Sequence, residues 1–184
     1  MIKRFLLFTS LLLTPVAMHA QVAPAAKGGF SNLWVGGEYS TFNPDYNLHR
    51  LTGIGVYADY DITHKLSAEA EARFLGVITA QDGNETQKDY LIGARYVPIH
   101  WRRFSPYVKL LAGGVWIQFP GTIGNGSYFA YAPGGGVDYR ISNRFSARAD
   151  YEYQVLPSAP NIPNQSSNGL TPNGFSFGVA YRVF

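Results

Sequence analysis

The sequence of 184 residues contains no cysteine, so neither a disulfide framework nor a lipoprotein anchor is available. Charge is also scarce. Asp, Glu, Lys and Arg together make up 15% of the chain, and the net charge of +3 is scattered rather than clustered. Nucleic acid binding therefore has no support. Beyond the first 20 residues no apolar stretch reaches the roughly 20 residues that a spanning helix needs. If this chain lives in a membrane, it crosses as strands.

What is abundant is aromatic side chain, at 15%, and glycine, with 20 copies, a balance common in β-rich envelope proteins. Residues 1–20 read as a secretory signal peptide. Lys3 and Arg4 precede an apolar run over 5–13 that Pro15 ends, too short to span, with cleavage expected after Ala20. Residues 21–31 read as a flexible lead-in and 32–184 as one barrel domain.

Apolar and polar residues alternate with a period of two through eight segments, at 32–42, 51–61, 66–77, 89–98, 106–118, 128–141, 145–155 and 173–184. Segments of this length match a tilted strand crossing the hydrocarbon. Connections near 43, 80, 120 and 160 are long, while those near 62, 101 and 142 are short. That asymmetry belongs to an up-and-down barrel with short periplasmic turns and longer outer loops. The fold class expected is all-β, an eight-stranded antiparallel transmembrane β-barrel. Pro133, lacking an N–H, marks a bulge or an unpaired position in the sixth segment.

In this register the apolar faces carry no charge. The opposite faces hold Glu38, Asp59, Glu69, Glu71, Asp89, Asp138, Asp150 and Glu152 with Arg73, Arg95, Lys109, Arg140, Arg148 and Arg182. A lipid-facing Arg or Lys costs about 2–4 kcal/mol at the midplane, so the charged faces point inward. Eight strands leave an interior that side chains fill. An ion-paired, largely closed lumen follows. Outward aromatics gather in two belts, Tyr60, Tyr96, Tyr139, Phe145 and Tyr181 toward the short turns and Tyr39, Phe74, Tyr90, Trp116, Phe129, Tyr153 and Phe175 toward the long loops.

The chain resembles the OmpA-like small outer-membrane β-barrel family over 30–184. The motifs are Trp34-Val35-Gly36-Gly37-Glu38-Tyr39, Pro106-Tyr107-Val108-Lys109, Gly134-Gly135-Gly136-Val137-Asp138-Tyr139-Arg140 and the last strand. That strand resembles the family's C-terminal assembly signal at Ser176, Gly178, Tyr181 and Val183, with Phe184 one place beyond where the signal often ends. The resemblance implies insertion by the barrel-assembly machinery into outer-membrane lipid and lipopolysaccharide, as a monomer. The peptidoglycan-tethering role of longer members is not implied.

No catalytic, metal or cofactor site is expected. His64 and His100 fall in short periplasmic turns, and His49 has no serine placed to share its face, so a lipid-modifying enzyme lacks its base and nucleophile. The glycine clusters are not followed by a helix, as a phosphate loop requires. Two other readings share the pattern: a narrow pore, and a soluble lipocalin-like barrel with its apolar face inside. The loop asymmetry and the belts favour the membrane form. The contact surfaces expected are the loops at 43–50, 78–88, 118–127 and 157–173.

Overall fold

A computed structural model describes residues 32–45, 49–77, 85–118, 125–159 and 169–184. The signal segment, its cleavage site and the lead-in lie outside the described residues. Eight strands follow in order: β1 (Leu33–Asn43), β2 (Leu51–Asp61), β3 (Leu66–Gly76), β4 (Thr86–Tyr96), β5 (Phe104–Gln118), β6 (Asn125–Arg140), β7 (Phe145–Tyr153) and β8 (Asn173–Arg182). Each pairs antiparallel with its sequence neighbours, and β8 pairs with β1, so the sheet closes on itself. Closure removes the unpaired edges that lipid would not tolerate. Across the seam Trp34 lies opposite Arg182 and Asn43 opposite Asn173. Inside it, Ser40 and Ser176 share a hydrogen bond of 2.8 Å.

The alternation in sequence becomes a division between two solvents. Ile54, Ile92, Val108 and Phe177 stand outward, 57–68% exposed, while Arg73, Asp89 and Glu152 stand inward at 0%. Aromatic pairs brace the outer wall near both ends. Phe145 packs on Tyr181 at 5.3 Å and Phe104 on Tyr139 at 5.0 Å toward the short turns. Tyr90 packs edge-on against Trp116 at 5.4 Å toward the long loops.

The strands depart from the sequence reading at their ends. β4 begins at Thr86, β5 at Phe104 and β6 at Asn125, each two or three residues earlier than the periodicity suggests. Thr86-Gln87-Lys88 continue the alternation of β4, so Gln87 is buried inside and Lys88 is exposed outside. The outward wall therefore does carry a charge, at its long-loop rim. Loop alternation is also looser than expected, since the 97–103 connection is as long as 44–50. A tight turn at Trp101–Phe104, with paired backbone bonds of 2.8 and 2.9 Å, keeps it compact. Polar residues near a loop blur strand ends, because the β4, β5 and β6 ladders extend past the apolar belt.

Pro133 explains a gap in one ladder. Tyr131 and Val155 exchange backbone bonds of 3.0 and 2.7 Å between β6 and the segment after β7, and regular pairing resumes at Gly134 opposite Glu152. Pro133 shares the parity of Tyr131, so its missing N–H falls where β7 would have received it. Phe184 is settled in a similar way. Leu33 accepts from Val183 N–H at 2.8 Å and donates to the Phe184 carbonyl at 3.3 Å. Two residues thus oppose one, a bulge that turns Phe184 aside, 57% exposed. Of the other residues that the sequence offers as an assembly signal, Gly178 faces the interior beside Tyr57, while Tyr181 and Val183 face outward.

The barrel is narrow enough that some inward positions have no room for a side chain. A Cβ on Gly93 would sit 2.0 Å from the Leu110 carbonyl oxygen, which belongs to the backbone and cannot swing away. Outward Gly37 has nothing nearer than the Gly55 carbonyl at 3.8 Å. Gly93→Ala is expected to lower stability by about 1–3 kcal/mol, as overpacking does, with Gly37→Ala near neutral. Urea midpoints in detergent micelles measure both, and equal midpoints would contradict the close approach of β4 and β5.

Candidate functional site

The interior is organised in three storeys. The middle one is polar, and inward positions of β1, β2, β3, β4, β5, β6 and β7 all contribute to it. Arg73 is its centre toward the long loops. Its guanidinium bonds Glu71, lies 3.3 Å from Glu38 and reaches Asp89 at 3.4 Å and Glu152 at 3.2 Å. Lys109 Nζ sits among four carboxylates, with Glu152 at 3.0 Å, Asp150 at 3.1 Å, and Glu69 and Glu71 both at 3.2 Å. Toward the short turns Arg95 and Arg148 share Asp59, Glu69 and Asp138. Four cations thus serve eight carboxylates.

Ions this deep cost several kcal/mol each to desolvate, and only dense pairing makes that tolerable. The cluster achieves density by sharing, since every cation faces at least three carboxylates. Neutral groups fill some of the remaining valences. Gln87 and Gln154 donate to Asp89 at 2.9 and 3.0 Å, and the Tyr107 hydroxyl donates to Asp150 at 2.5 Å. Aromatic faces hold the guanidinium groups flat: Arg95 lies 3.9 Å from the Tyr107 ring centre, Arg148 4.1 Å from Tyr57 and Arg73 4.3 Å from Phe42. Tyr57 and Tyr107 share the inward parity of Asp59 and Lys109 on their strands, but the sequence by itself assigns them no role. Gln87 reads there as a loop residue, although the alternation through Gln87 and Asp89 is the available signal.

The storey nearest the long loops is apolar. Leu91, Leu111, Val115, Ile117, Ala130 and Ala132 from the wall pack with Leu156, Ala159 and Leu170. Phe42, Leu51 and Leu75 form a second group. Leu156, Ala159 and Leu170 come from the connection after β7, the last two from the stretch 157–173 expected to be an outer contact surface. Leu156 and Leu170 pair by backbone bonds of 2.9 and 3.2 Å and carry the base of that loop into the mouth. Asp45 fastens it, accepting from the Thr171 hydroxyl at 2.7 Å and its N–H at 3.2 Å. The plug is therefore part ionic and part hydrocarbon.

At the short-turn end the lumen opens into a cavity of about 280 Å³, lined by Asp59, Asp61, His100, Arg95, Arg140 and Arg148 among others. Two expected members of the ion network lie at the short-turn end outside it, Arg140 in the lining of this cavity and Arg182 at the end of β8. Arg140 is exposed, and Arg182 is half-buried with its guanidinium 5.9 Å from the Trp34 ring centre. Both lie at strand ends where water reaches them, so nothing forces them to pair. His100 bonds the His64 carbonyl at 2.8 Å and Ser105 at 3.1 Å, which ties two turns together. Among the described residues no group of His, Asp and Glu is arranged to hold a metal ion.

An outward apolar wall with two aromatic rims, closed by eight strands around buried charge, defines a small transmembrane β-barrel of the bacterial outer membrane. The chain belongs to the outer membrane protein beta-barrel domain family, whose model matches residues 9–182. Three solved structures share the fold. Neisserial surface protein A (NspA) is 12% identical with a TM-score of 0.62, covering 82% of this chain and 96% of its own. OprG from Pseudomonas aeruginosa is 14% identical at 0.56, covering 83% and 95%. Ail, the attachment invasion locus protein of Yersinia pestis, is 17% identical at 0.55, covering 83% and 97%. No curated protein sequence matches. The long-loop end is accordingly the outer one, and the short turns face the periplasm.

Proposed function

We propose that this protein is a non-enzymatic, monomeric barrel, inserted by the barrel-assembly machinery, that holds its outer loops at the cell surface for contact with a partner. The observation that carries the reading is the filled lumen. Charge pairs occupy its middle, and Leu156 and Leu170 occupy its outer mouth, so the scaffold presents loops rather than a path. Among the described residues, the carboxylates of the middle storey are each shared with at least one cation.

The partner is best sought among neutral, hydrogen-bonding surfaces. Ail has been solved in complex with the heparin analogue sucrose octasulfate, a polyanion. Here the connections at 43–50, 78–88, 118–127 and 157–173 carry only Arg50 and Lys88 as Lys or Arg, among many Asn, Gly, Ser, Thr and Pro. Polysulfate capture needs clustered cations, and these loops suit glycan hydroxyls or a protein surface. Replacing 160–168 by a Gly-Ser segment of equal length is expected to abolish adherence of expressing cells while the barrel keeps its heat-modifiable mobility. Planar-bilayer recordings of the intact protein should show no large stable conductance. Such a conductance, or adherence unaffected by the loop exchange, would overturn the reading.

A further inference from the structure

The cations outside the lumen are unevenly shared between the two ends. Lys65, Arg102, Arg103, Arg140, Arg144 and Arg182 stand at the periplasmic end, all exposed except half-buried Arg182. Among the described residues none of the six is in an ion pair. Arg144 donates to the Tyr181 hydroxyl at 3.4 Å, and Arg182 lies over the Trp34 ring. The one acid there outside the ion network, among the described residues, is Asp61, which accepts from Asn32 at 3.1 Å and Ser67 at 2.7 Å. The outer connections instead carry Arg50 and Lys88 against Asp45, Asp82 and Glu85. The molecule is electrically polarised along its axis.

Two of these cations face the barrel axis and not the lipid. Arg102 and Arg140 line the periplasmic cavity of about 280 Å³ together with His64 and His100. Arg102 belongs to the turn that His100 ties to the His64 carbonyl at 2.8 Å, so its position over the cavity is fixed. Its backbone is left-handed, with φ at 55°. Glycine or asparagine takes that conformation more easily, so turn geometry does not account for an arginine there. Deeper in the same cavity Arg95 and Arg148 are taken up by Asp59, Glu69 and Asp138. Arg102 and Arg140 meet no carboxylate among the described residues.

We infer that the periplasmic end docks an acidic segment of a soluble protein, with one carboxylate side chain held at the cavity mouth by Arg102 and Arg140. Charge complementarity selects the acid, because exposed guanidinium groups pair with carboxylates in a forked geometry. The other cations are spread over all three short turns and the last strand. That spread exceeds what one small ion touches and suits a chain carrying several carboxylates. A phospholipid headgroup would meet cations on the outward wall and not at the cavity. The uniform sign also steers such a segment toward this end, most strongly at low salt. The contact is independent of what the outer loops hold.

The full chain in phosphatidylcholine nanodiscs tests this by fluorescence anisotropy with two labelled peptides, one alternating Glu and Gly and the other Gln and Gly. Wild type is expected to bind the Glu peptide and not the Gln peptide, and to release it as salt is raised. Arg102→Gly, which suits the left-handed backbone and so keeps the fold, should weaken binding about threefold. Adding Arg140→Gln should bring the loss to about tenfold, as removal of two exposed ion pairs does. The mobility of unboiled samples checks that both variants are folded. Equal affinity in wild type and the double variant, or equal binding of the Gln peptide, would overturn the assignment. So would a double variant that loses retention of phosphatidylglycerol while binding the Glu peptide as before, because the cations would then serve lipid.

Discussion

Arg73→Met should cost the barrel about 3–5 kcal/mol, the range for leaving a buried charge without its partner. Methionine conserves much of the length and volume, so the loss is electrostatic rather than a cavity. Glu38, Glu71, Asp89 and Glu152 would then face one another with Lys109 as the nearest remaining cation, and Lys109 already serves Glu69, Glu71, Asp150 and Glu152. Set against a typical stability of about 5–15 kcal/mol, this is enough to leave much of the protein unfolded in mild denaturant. Urea titration in micelles, followed by the mobility of unboiled samples, measures it. Adding Glu71→Gln and Glu152→Gln should recover part of the loss, because neutral groups need no counter-ion. A midpoint unchanged by Arg73→Met would show that the guanidinium is not what balances these carboxylates.

The second large effect concerns the wall. Ile92 lies at mid-strand on β4, 65% exposed, between Ala70 and Ala112 on its neighbours. Ile92→Arg is expected to destabilise the barrel in phospholipid vesicles by about 2–4 kcal/mol, the cost of a cation at the bilayer midplane. Thr52→Arg, outward at the outer rim beside Thr41 and Gly76, should cost close to nothing. The position dependence is the informative part. Equal effects at the two sites in vesicles would place the hydrocarbon elsewhere, whereas equal effects in short-chain detergent would not.

The sequence carries this wall openly. Ile54, Val56, Ile92, Val108, Phe177 and Val179 alternate with polar or small residues, and a closed barrel in lipid leaves no freedom about which face is out. The register of the seam follows as well, because Phe175 to Val183 had to match Leu33 to Thr41. Strand ends were less legible. Gln87, Lys88 and Asn125 look like loop residues, and only pairing with β3 and β5 makes them strand.

The buried charges show the same division. Which residues enter the lumen follows from parity, but Arg140 and Arg182 have the same parity as Arg148 and differ only in depth. Depth depends on strand tilt and stagger around the closed sheet, which no single strand records. The plug depends on it too. Leu156 and Leu170 stand in a run of Pro, Ser and Asn whose composition reads as solvent-exposed, and they are buried because Asp45, on a different loop, holds Thr171.

The sequence by itself therefore determined the strands, their closure and the face that meets lipid, because a period of two in a membrane has one solution. The tertiary structure alone decided which inward charges pair, what stops the outer mouth and where Lys88 stands. Those outcomes rest on which side chains come level across seven separate strands, and that is a property of the closed barrel rather than of any stretch of chain.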